Sequence, residues 1–238
     1  MAQQPAPGKC VHCLKTFDVL TWDHVFPEAW YPDTTLPNLY KLQIPSCYKC
    51  NKEYGRLEND MMIRLALCVD PERPETAAIV SKGLRAINPD AGKSERDKAA
   101  RAAKRSQILR QMIEGPAIPE MAIYPGFGEK WGRTIDHAVA ITIPASSYRR
   151  LAEKLIRGIY YLERALFIEP PWRVQFFAVT DEGAREFVAI TDKFGTEYAR
   201  EPGVTIRLAV PEDEPMSSVA EISIWGRFKM YAAVISEP

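Results

Sequence analysis

Two pairs of closely spaced cysteines are the residues of this chain whose spacing points most directly to chemistry. Cys10 and Cys13 form one Cys-x-x-Cys pair, and Cys47 and Cys50 form a second after 33 intervening residues. Each such turn can present two thiolates to one ion, and two turns complete the tetrahedral sulfur shell that zinc prefers. The spacing therefore predicts a structural zinc site. A redox role for one pair is the alternative, but neither pair lies in a thioredoxin-like strand–helix context.

The polar residues between and just after the cysteine pairs could carry out hydrolysis. Asp23 and His24 are adjacent, and Asn51 directly follows the second pair. An imidazole that titrates near about 6.5 can act as a base at neutral pH. Carboxylate and amide oxygens suit Mg²⁺ or Mn²⁺. Taken alone, His24 could equally be a hydrogen-bonded structural residue, and Asp23 could cap a turn.

The order of these residues resembles that of the HNH nucleases. The shared features are Cys-x-x-Cys, Asp-His-Val-x-Pro, Asn-Leu and Cys-x-x-Cys-Asn, and they cover residues 9–65, about a quarter of the chain. The resemblance implies a zinc-stabilised ββα-metal finger. It also implies a metal-dependent endonuclease that hydrolyses phosphodiester bonds of nucleic acid, with DNA as the expected substrate. By analogy, such a nuclease joined to a further domain suits bacterial or phage defence.

The resemblance assigns a role to each polar side chain. His24 activates the water, Asp23 and Asn51 bind a catalytic Mg²⁺ or Mn²⁺, and Asn38 positions His24. In this chain Asn51 stands where the family name has its last His, and Asn38 lies 13 residues before it, a wider spacing than in many relatives. The wider spacing favours the alternative, a non-catalytic zinc finger that binds nucleic acid or protein.

Five other residues with reactive side chains have simpler interpretations. We expect His12, inside the first cysteine pair, to be exposed or to contact a ligand residue instead of binding the metal itself. Glu53 and Glu58 follow the second pair on a predicted helix and are secondary candidates for approaching the metal. Cys68 is interpreted as a small buried hydrophobic residue, and His137 as structural.

Composition indicates an ordinary globular protein. The chain is 46% hydrophobic and 26% charged, and its 31 Lys and Arg residues balance 31 Asp and Glu residues. A polyanionic partner must therefore meet a local basic patch. The N-terminus lacks the features of a secretory signal, and no apolar run of about 18 residues could span a bilayer. We expect a cytoplasmic protein without membrane contact, in which thiols stay reduced.

Local patterns divide the chain into three predicted parts. Residues 8–66 form the nuclease domain, with a strand near 19–25, a loop, and a helix after the second cysteine pair. Residues 67–120 form a helical basic connector. Residues 121–238 form a domain of helices and a mainly antiparallel sheet, so the whole chain is predicted to be α+β.

The connector contains a candidate nucleic-acid contact. Between Lys93 and Arg110 there are seven basic and two acidic residues in a helical pattern. Such a stripe could follow a phosphate backbone, although a solvated helix face is the alternative. The candidate contacts are Lys98, Arg101, Lys104 and Arg105.

The last part is predicted from alternating helix and strand signals. A helix from Ser146 to Phe167 opens with a serine cap, and Gly226-Arg227 forms a tight hairpin between the last two strands. Further strands are predicted in WRVQFFAVT and VTIRLAV, with a helix in DEGAREFVAITDKF. This part could serve substrate choice, regulation or homodimer formation. The aromatic residues Trp225, Phe228 and Tyr231 could stack on bases, but strand alternation favours core packing.

Overall fold

The computed structural model describes residues 4–118, 139–179, 182–200 and 203–237, in which helices combine with antiparallel sheets. The predicted α+β class is confirmed. His137 lies outside the described residues. No helix in the described ranges is both long and apolar enough to cross a membrane.

The described residues up to 118 form three α-helices and, together with one strand after 138, three two-stranded sheets. The elements are β1 (Gly8–Lys9), β2 (Thr16–Phe17), β3 (Thr21–His24), β4 (Gln43–Ser46), α1 (Tyr48–Ala66), α2 (Ile79–Ile87), α3 (Glu95–Arg110) and β5 (Met112–Glu114). β1 pairs with β2, β3 with β4, and β5 with β6 (Val139–Ile141), all antiparallel. The predicted strand before the loop, the helix after the second cysteine pair and the basic helix are all present.

The second half is built on one five-stranded antiparallel sheet. Its elements are α4 (Ala145–Arg164), β7 (Trp172–Phe177), α5 (Arg185–Phe194), β8 (Gly195–Arg200), β9 (Val204–Ala209), β10 (Ser218–Ile224) and β11 (Phe228–Ser236). The strand order is β7-β11-β10-β9-β8. Strand β8 was not predicted, because its sequence begins with Gly195 and lacks an apolar run. It forms by pairing along β9.

The predicted hairpin between β10 and β11 is present, but its turn has three residues, because Trp225 joins the predicted Gly226-Arg227. Ile224 pairs with Phe228, and the turn residues Trp225 and Gly226 have left-handed φ values of 51° and 60°. The left-handed conformation is unfavourable for residues with a side chain, and Trp225 already adopts it. Glycine at 226 allows the next residue to adopt it as well, which makes the turn possible. Trp225, Phe228 and Tyr231 are all buried, which confirms the prediction of core packing for these aromatic residues.

Helix α4 differs from its prediction at both ends. The predicted serine cap is wrong, because the helix begins at Ala145 after Pro144 and no side chain caps it. The helix ends at Arg164, where Ala165 adopts a left-handed conformation, so it does not reach Phe167. Leu151 and its neighbours one and two turns on are buried in the core.

The hydrophobic core runs continuously between the two halves of the chain. One buried cluster includes Val25 and Trp30 from the first half with Leu155 and Trp225 from the second. The indole Nε1 of Trp225 donates a hydrogen bond of 2.8 Å to the backbone oxygen of Trp30. The boundaries drawn at residues 66 and 120 stay predictions.

Candidate metal centre and buried polar cluster

The four cysteines are brought together by a turn and a helix start. The Cys10–Cys13 turn lies between β1 and β2, and Val11 N–H donates to the Pro45 oxygen of β4 at 3.1 Å. Cys47 caps α1, because its sulfur accepts a hydrogen bond from the backbone N–H of Cys50. The first cysteine pair is thereby fixed against the second.

The four sulfur atoms fit a tetrahedral metal. All of them lie within 4.8 Å of one another, and the sulfurs of Cys13 and Cys47 are 3.9 Å apart. Four sulfurs around zinc at about 2.3 Å are expected to lie about 3.8 Å from one another. Cys10, Cys13, Cys47 and Cys50 can therefore bind a metal such as zinc. Cys68 lies outside this group, packed against the core, where burial raises its thiol pKa to about 11.

Hydrogen bonds from backbone N–H groups favour the thiolate form of Cys10. Burial raises the pKa of the Cys10 thiol, but hydrogen bonds from the backbone N–H groups of Cys13, Cys47 and His12 outweigh burial and lower it. Burial raises the pKa of the Cys13 and Cys50 thiols. A metal must displace those protons, so its binding is expected to be weaker at low pH.

The β3–β4 hairpin separates the two residues that the sequence analysis assigned to one active site. Successive side chains of a strand point to opposite faces. Asp23 points inward and is 5% exposed, whereas Trp22 is 39% exposed and His24 is half-buried on the other face. Gln43 lies opposite His24, and the buried Ile44 lies opposite Asp23.

Asp23 belongs to a buried polar cluster, by which we mean His12, Asp23, Glu58 and Lys154. Its Oδ2 accepts a hydrogen bond of 2.7 Å from Nε2 of His12, and its Oδ1 accepts one of 3.0 Å from Nζ of Lys154. The same ammonium donates to Glu58. The Lys154 side chain is 0% exposed. Lys154 of helix α4 is thus a fully buried cation in contact with Asp23 of β3 and Glu58 of α1.

Mutual interactions set the ionisation of this cluster. Burial opposes ionisation of Asp23, but the hydrogen bond from His12 and the charge of Lys154 prevail, so its pKa is lowered. For Glu58, burial and the charge of Asp23 raise the pKa despite Lys154. Burial lowers the pKa of His12, so its ring is neutral at pH 7. The ring proton is on Nε2, which donates the hydrogen bond to Asp23.

His12 and the two acidic candidates therefore occupy different places. His12 is buried and contacts Asp23, so it does not take the exposed setting, and its predicted contact with a metal ligand stays a prediction. Glu58 lies in the buried polar cluster, whereas Glu53 is half-buried with its carboxylate 3.6 Å from Arg150. Neither glutamate belongs to the four-cysteine group.

His24 is held by Gln43 instead of by Asn38. The amide nitrogen of Gln43 lies 2.9 Å from Nε2 of His24. Asn38 is exposed in the loop between β3 and β4, and the structure gives no hydrogen bond between it and His24 in the described ranges. Gln43 thus makes the contact expected of Asn38, whose positioning role stays a prediction. Burial lowers the pKa of His24 despite the nearby charges of Glu28 and Asp23, so its ring is neutral at pH 7.

The residues assigned to a catalytic divalent ion are both engaged in contacts with other residues. Both oxygens of Asp23 are engaged by His12 and Lys154. The amide nitrogen of Asn51 donates to Thr21 Oγ1 at 2.9 Å and to the Trp22 oxygen at 3.0 Å. Asn51 therefore ties α1 to β3, and a Mg²⁺ or Mn²⁺ ion at Asp23 would have to displace the Lys154 ammonium.

Three of the four basic candidates on α3 are engaged in ion pairs. Lys98 binds Glu95 at 2.7 Å, Arg101 binds Asp97 at 3.0 Å, and Lys104 contacts Asp60 of α1. Arg105 is exposed. The contacts of Arg101 and Lys104 fix α3 against neighbouring elements. These two side chains are therefore less available to bind a polyanion.

Two residues of the site, Lys154 and Gln43, were not predicted from the sequence. Lys154 lies in an amphipathic helical pattern, where a lysine is normally solvated, and its partner Asp23 is 131 positions away. Gln43 carried a usable signal, because it is a polar residue that the β3–β4 register places opposite His24. No protein-family model, curated protein or solved structure matches this chain.

Proposed function

We propose that this protein is an HNH-type endonuclease that hydrolyses phosphodiester bonds of nucleic acid, with His24 as the base that activates water. The observation that carries the proposal is the setting of His24. It is half-buried on the same face of β3 as the exposed Trp22, and its neutral ring is held by the side chain of Gln43. A neutral, half-exposed imidazole held in one orientation is what proton abstraction from water requires.

The contact with Gln43 determines which ring nitrogen can act. When the Gln43 amide nitrogen donates to Nε2, the ring proton is on Nδ1 and the only free lone pair of the ring is occupied. In this orientation His24 cannot accept a proton from water. Rotating the amide by 180° exchanges its oxygen and nitrogen at nearly the same positions, and the base role of His24 requires this second orientation. Gln43 then accepts from Nε2–H, and Nδ1 is the atom that takes the proton from water. Gln43 is in this proposal a positioning residue.

Exposed residues of β3 and α1 suit a nucleic acid. Trp22 shares the strand face of His24, and Tyr48 at the start of α1 is 68% exposed. Lys52 lies over the Tyr48 ring at 5.6 Å, and Arg56 is exposed one turn further on. Exposed aromatic rings stack on bases, and basic side chains contact phosphates. This arrangement supports a nucleic acid as the substrate, and DNA remains the prediction from the resemblance.

A divalent ion would supply positive charge to the scissile phosphate. The resemblance to the HNH nucleases implies that Asp23 and Asn51 bind Mg²⁺ or Mn²⁺, but the carboxylate of Asp23 is engaged by Lys154. The steps proposed for His24 and Gln43 therefore do not depend on that ion. The defence role, the homodimer and the cytoplasmic location remain predictions.

A non-catalytic nucleic-acid-binding module is the second candidate. The specific observation in its favour is that Asp23 is buried with its charge compensated by Lys154. The exposed aromatic and basic residues would serve binding as well as cleavage, so binding data cannot separate the two functions.

Cleavage assays separate them. Zinc-loaded full-length protein is incubated with plasmid DNA, single-stranded DNA and RNA, each in Mg²⁺, Mn²⁺ or EDTA, beside His24→Ala. The control is Asn59→Ala, an exposed position on the same helix as Asn51. The nuclease proposal predicts cleavage that His24→Ala loses and Asn59→Ala keeps. Oligonucleotide binding without cleavage under every condition would favour the binding module.

A further inference from the structure

Lys154 occupies the position in which a cation would meet Asp23. Its Nζ lies 3.0 Å from Oδ1 of Asp23 and also contacts Glu58, and its side chain is 0% exposed. The ring of Tyr54 lies beside it, with its centroid 5.7 Å from Nζ. A buried ammonium is stable only when its charge is compensated. Two carboxylates and one aromatic face provide that compensation.

Both oxygen atoms of Asp23 already have a hydrogen-bond donor within about 3 Å. Mg²⁺ binds oxygens at about 2.0–2.1 Å in near-ideal octahedral geometry and usually keeps several waters, so it needs room around the carboxylate. Oδ2 already accepts from His12 at 2.7 Å, and Oδ1 from Lys154 at 3.0 Å. An ion at Oδ1 would lie almost against the ammonium, and two cations at that separation repel strongly in a buried site.

We propose that Lys154 is the resident cation of this site, so that the native protein binds no divalent ion at Asp23. The proposal rests on the proposed function only in treating Asp23 as the position where an HNH-type site would have its ion. It follows that α4, from the second half of the chain, completes the polar interior of the first half. Cleavage by His24 then proceeds without a divalent ion at Asp23.

The test measures ion binding and does not depend on cleavage. Zinc-loaded full-length protein is titrated with Mn²⁺, and free Mn²⁺ is followed by electron paramagnetic resonance. The variants are Lys154→Met, the double variant Lys154→Met with Asp23→Asn, and Lys98→Met. The last is the matched control, because it removes an ammonium from the exposed carboxylate of Glu95.

Removal of Lys154 is expected to create an ion site. Wild type and Lys98→Met bind no Mn²⁺ at Asp23, whereas Lys154→Met gains one stoichiometric Mn²⁺ site. The additional Asp23→Asn substitution abolishes that gain. Tb³⁺ luminescence gives a second readout, with the neighbouring Trp22 as the antenna.

Two results would overturn the proposal. One is a stoichiometric Mn²⁺ site in wild type that Asp23→Asn removes, since Lys154 would then give way to the ion. The other is a folded, zinc-loaded Lys154→Met that gains no site. If Lys154→Met does not fold, Lys154→Gln replaces it, because its amide can still donate to Asp23, and the wild-type titration remains decisive. Loss of cleavage in His24→Ala is a separate measurement, so the two proposals can fail independently.

Discussion

The ammonium of Lys154 lies 3.0 Å from Oδ1 of Asp23, although 131 residues separate them in the chain. Both side chains are almost completely buried. The contact therefore connects helix α4 with strand β3 through a charged hydrogen bond in the interior. Because Glu58 of α1 shares the same ammonium, three elements of the structure depend on one lysine.

Lys154→Met is expected to destabilise the protein strongly. Removing one partner of a buried ion pair leaves an uncompensated charge, at a cost of about 3–5 kcal/mol in the free energy of unfolding. Lys98→Met, which breaks an exposed pair on α3, should change stability by about 0.5 kcal/mol or less. Urea denaturation measures both. Equal midpoints for the two variants would show that the buried contact contributes little.

Metal removal is expected to unfold the first part of the chain. Structural zinc sites contribute apparent binding free energies of about 10–16 kcal/mol at pH 7. Cys10→Ser should therefore lose bound zinc and part of the helical circular dichroism signal. Cys68→Ser should keep one zinc per chain, because Cys68 lies outside the four-cysteine group. Elemental analysis checks both. Zinc retained by Cys10→Ser would exclude Cys10 as a ligand.

Patterns carried by neighbouring residues were predictable, and contacts between distant residues were not. The cysteine spacing located the four-cysteine group, and apolar periodicity located α1. The burial of Lys154 has no local signal, because it depends on carboxylates that arrive from β3 and α1. Strand β8 likewise forms only against β9. The start of α4 was misplaced because Pro144 precedes the helix and neither Ser146 nor Ser147 caps it.

Packing of α4 against the hairpin can be tested at a glycine. A Cβ atom at Gly158 would lie 2.7 Å from both Cγ atoms of the buried Val25. We expect Gly158→Ala to cost about 1–3 kcal/mol in the free energy of unfolding. Gly55→Ala in α1 is the matched control, because a Cβ there has no neighbour within 4 Å. It should stabilise the protein by about 0.5–1 kcal/mol.

The Gly158 prediction has an internal check. In a Val25→Ala background the clash is relieved, so Gly158→Ala should cost less than it does in wild type. Additive effects of the two substitutions, measured by the same denaturation series, would contradict the predicted contact.

The pH dependence of cleavage follows from the environment of His24. Burial lowers the pKa of its ring, so the neutral form persists below the usual value of about 6.5. The acid limb of the pH–rate profile should therefore have its midpoint below pH 6.5. Glu28→Gln removes a charge that raises this pKa, so it should move the midpoint further toward acid. An acid limb above pH 6.5 would conflict with His24 as the base.

The most direct test of the nuclease assignment is the single-turnover rate of DNA cleavage by His24→Ala relative to wild type. Zinc content and urea midpoint are measured on the same samples, so that loss of fold is recognised. General base catalysis predicts that the rate falls by at least about 100-fold while zinc and stability are unchanged. A folded, zinc-loaded His24→Ala that cleaves DNA at the wild-type rate would contradict the assignment.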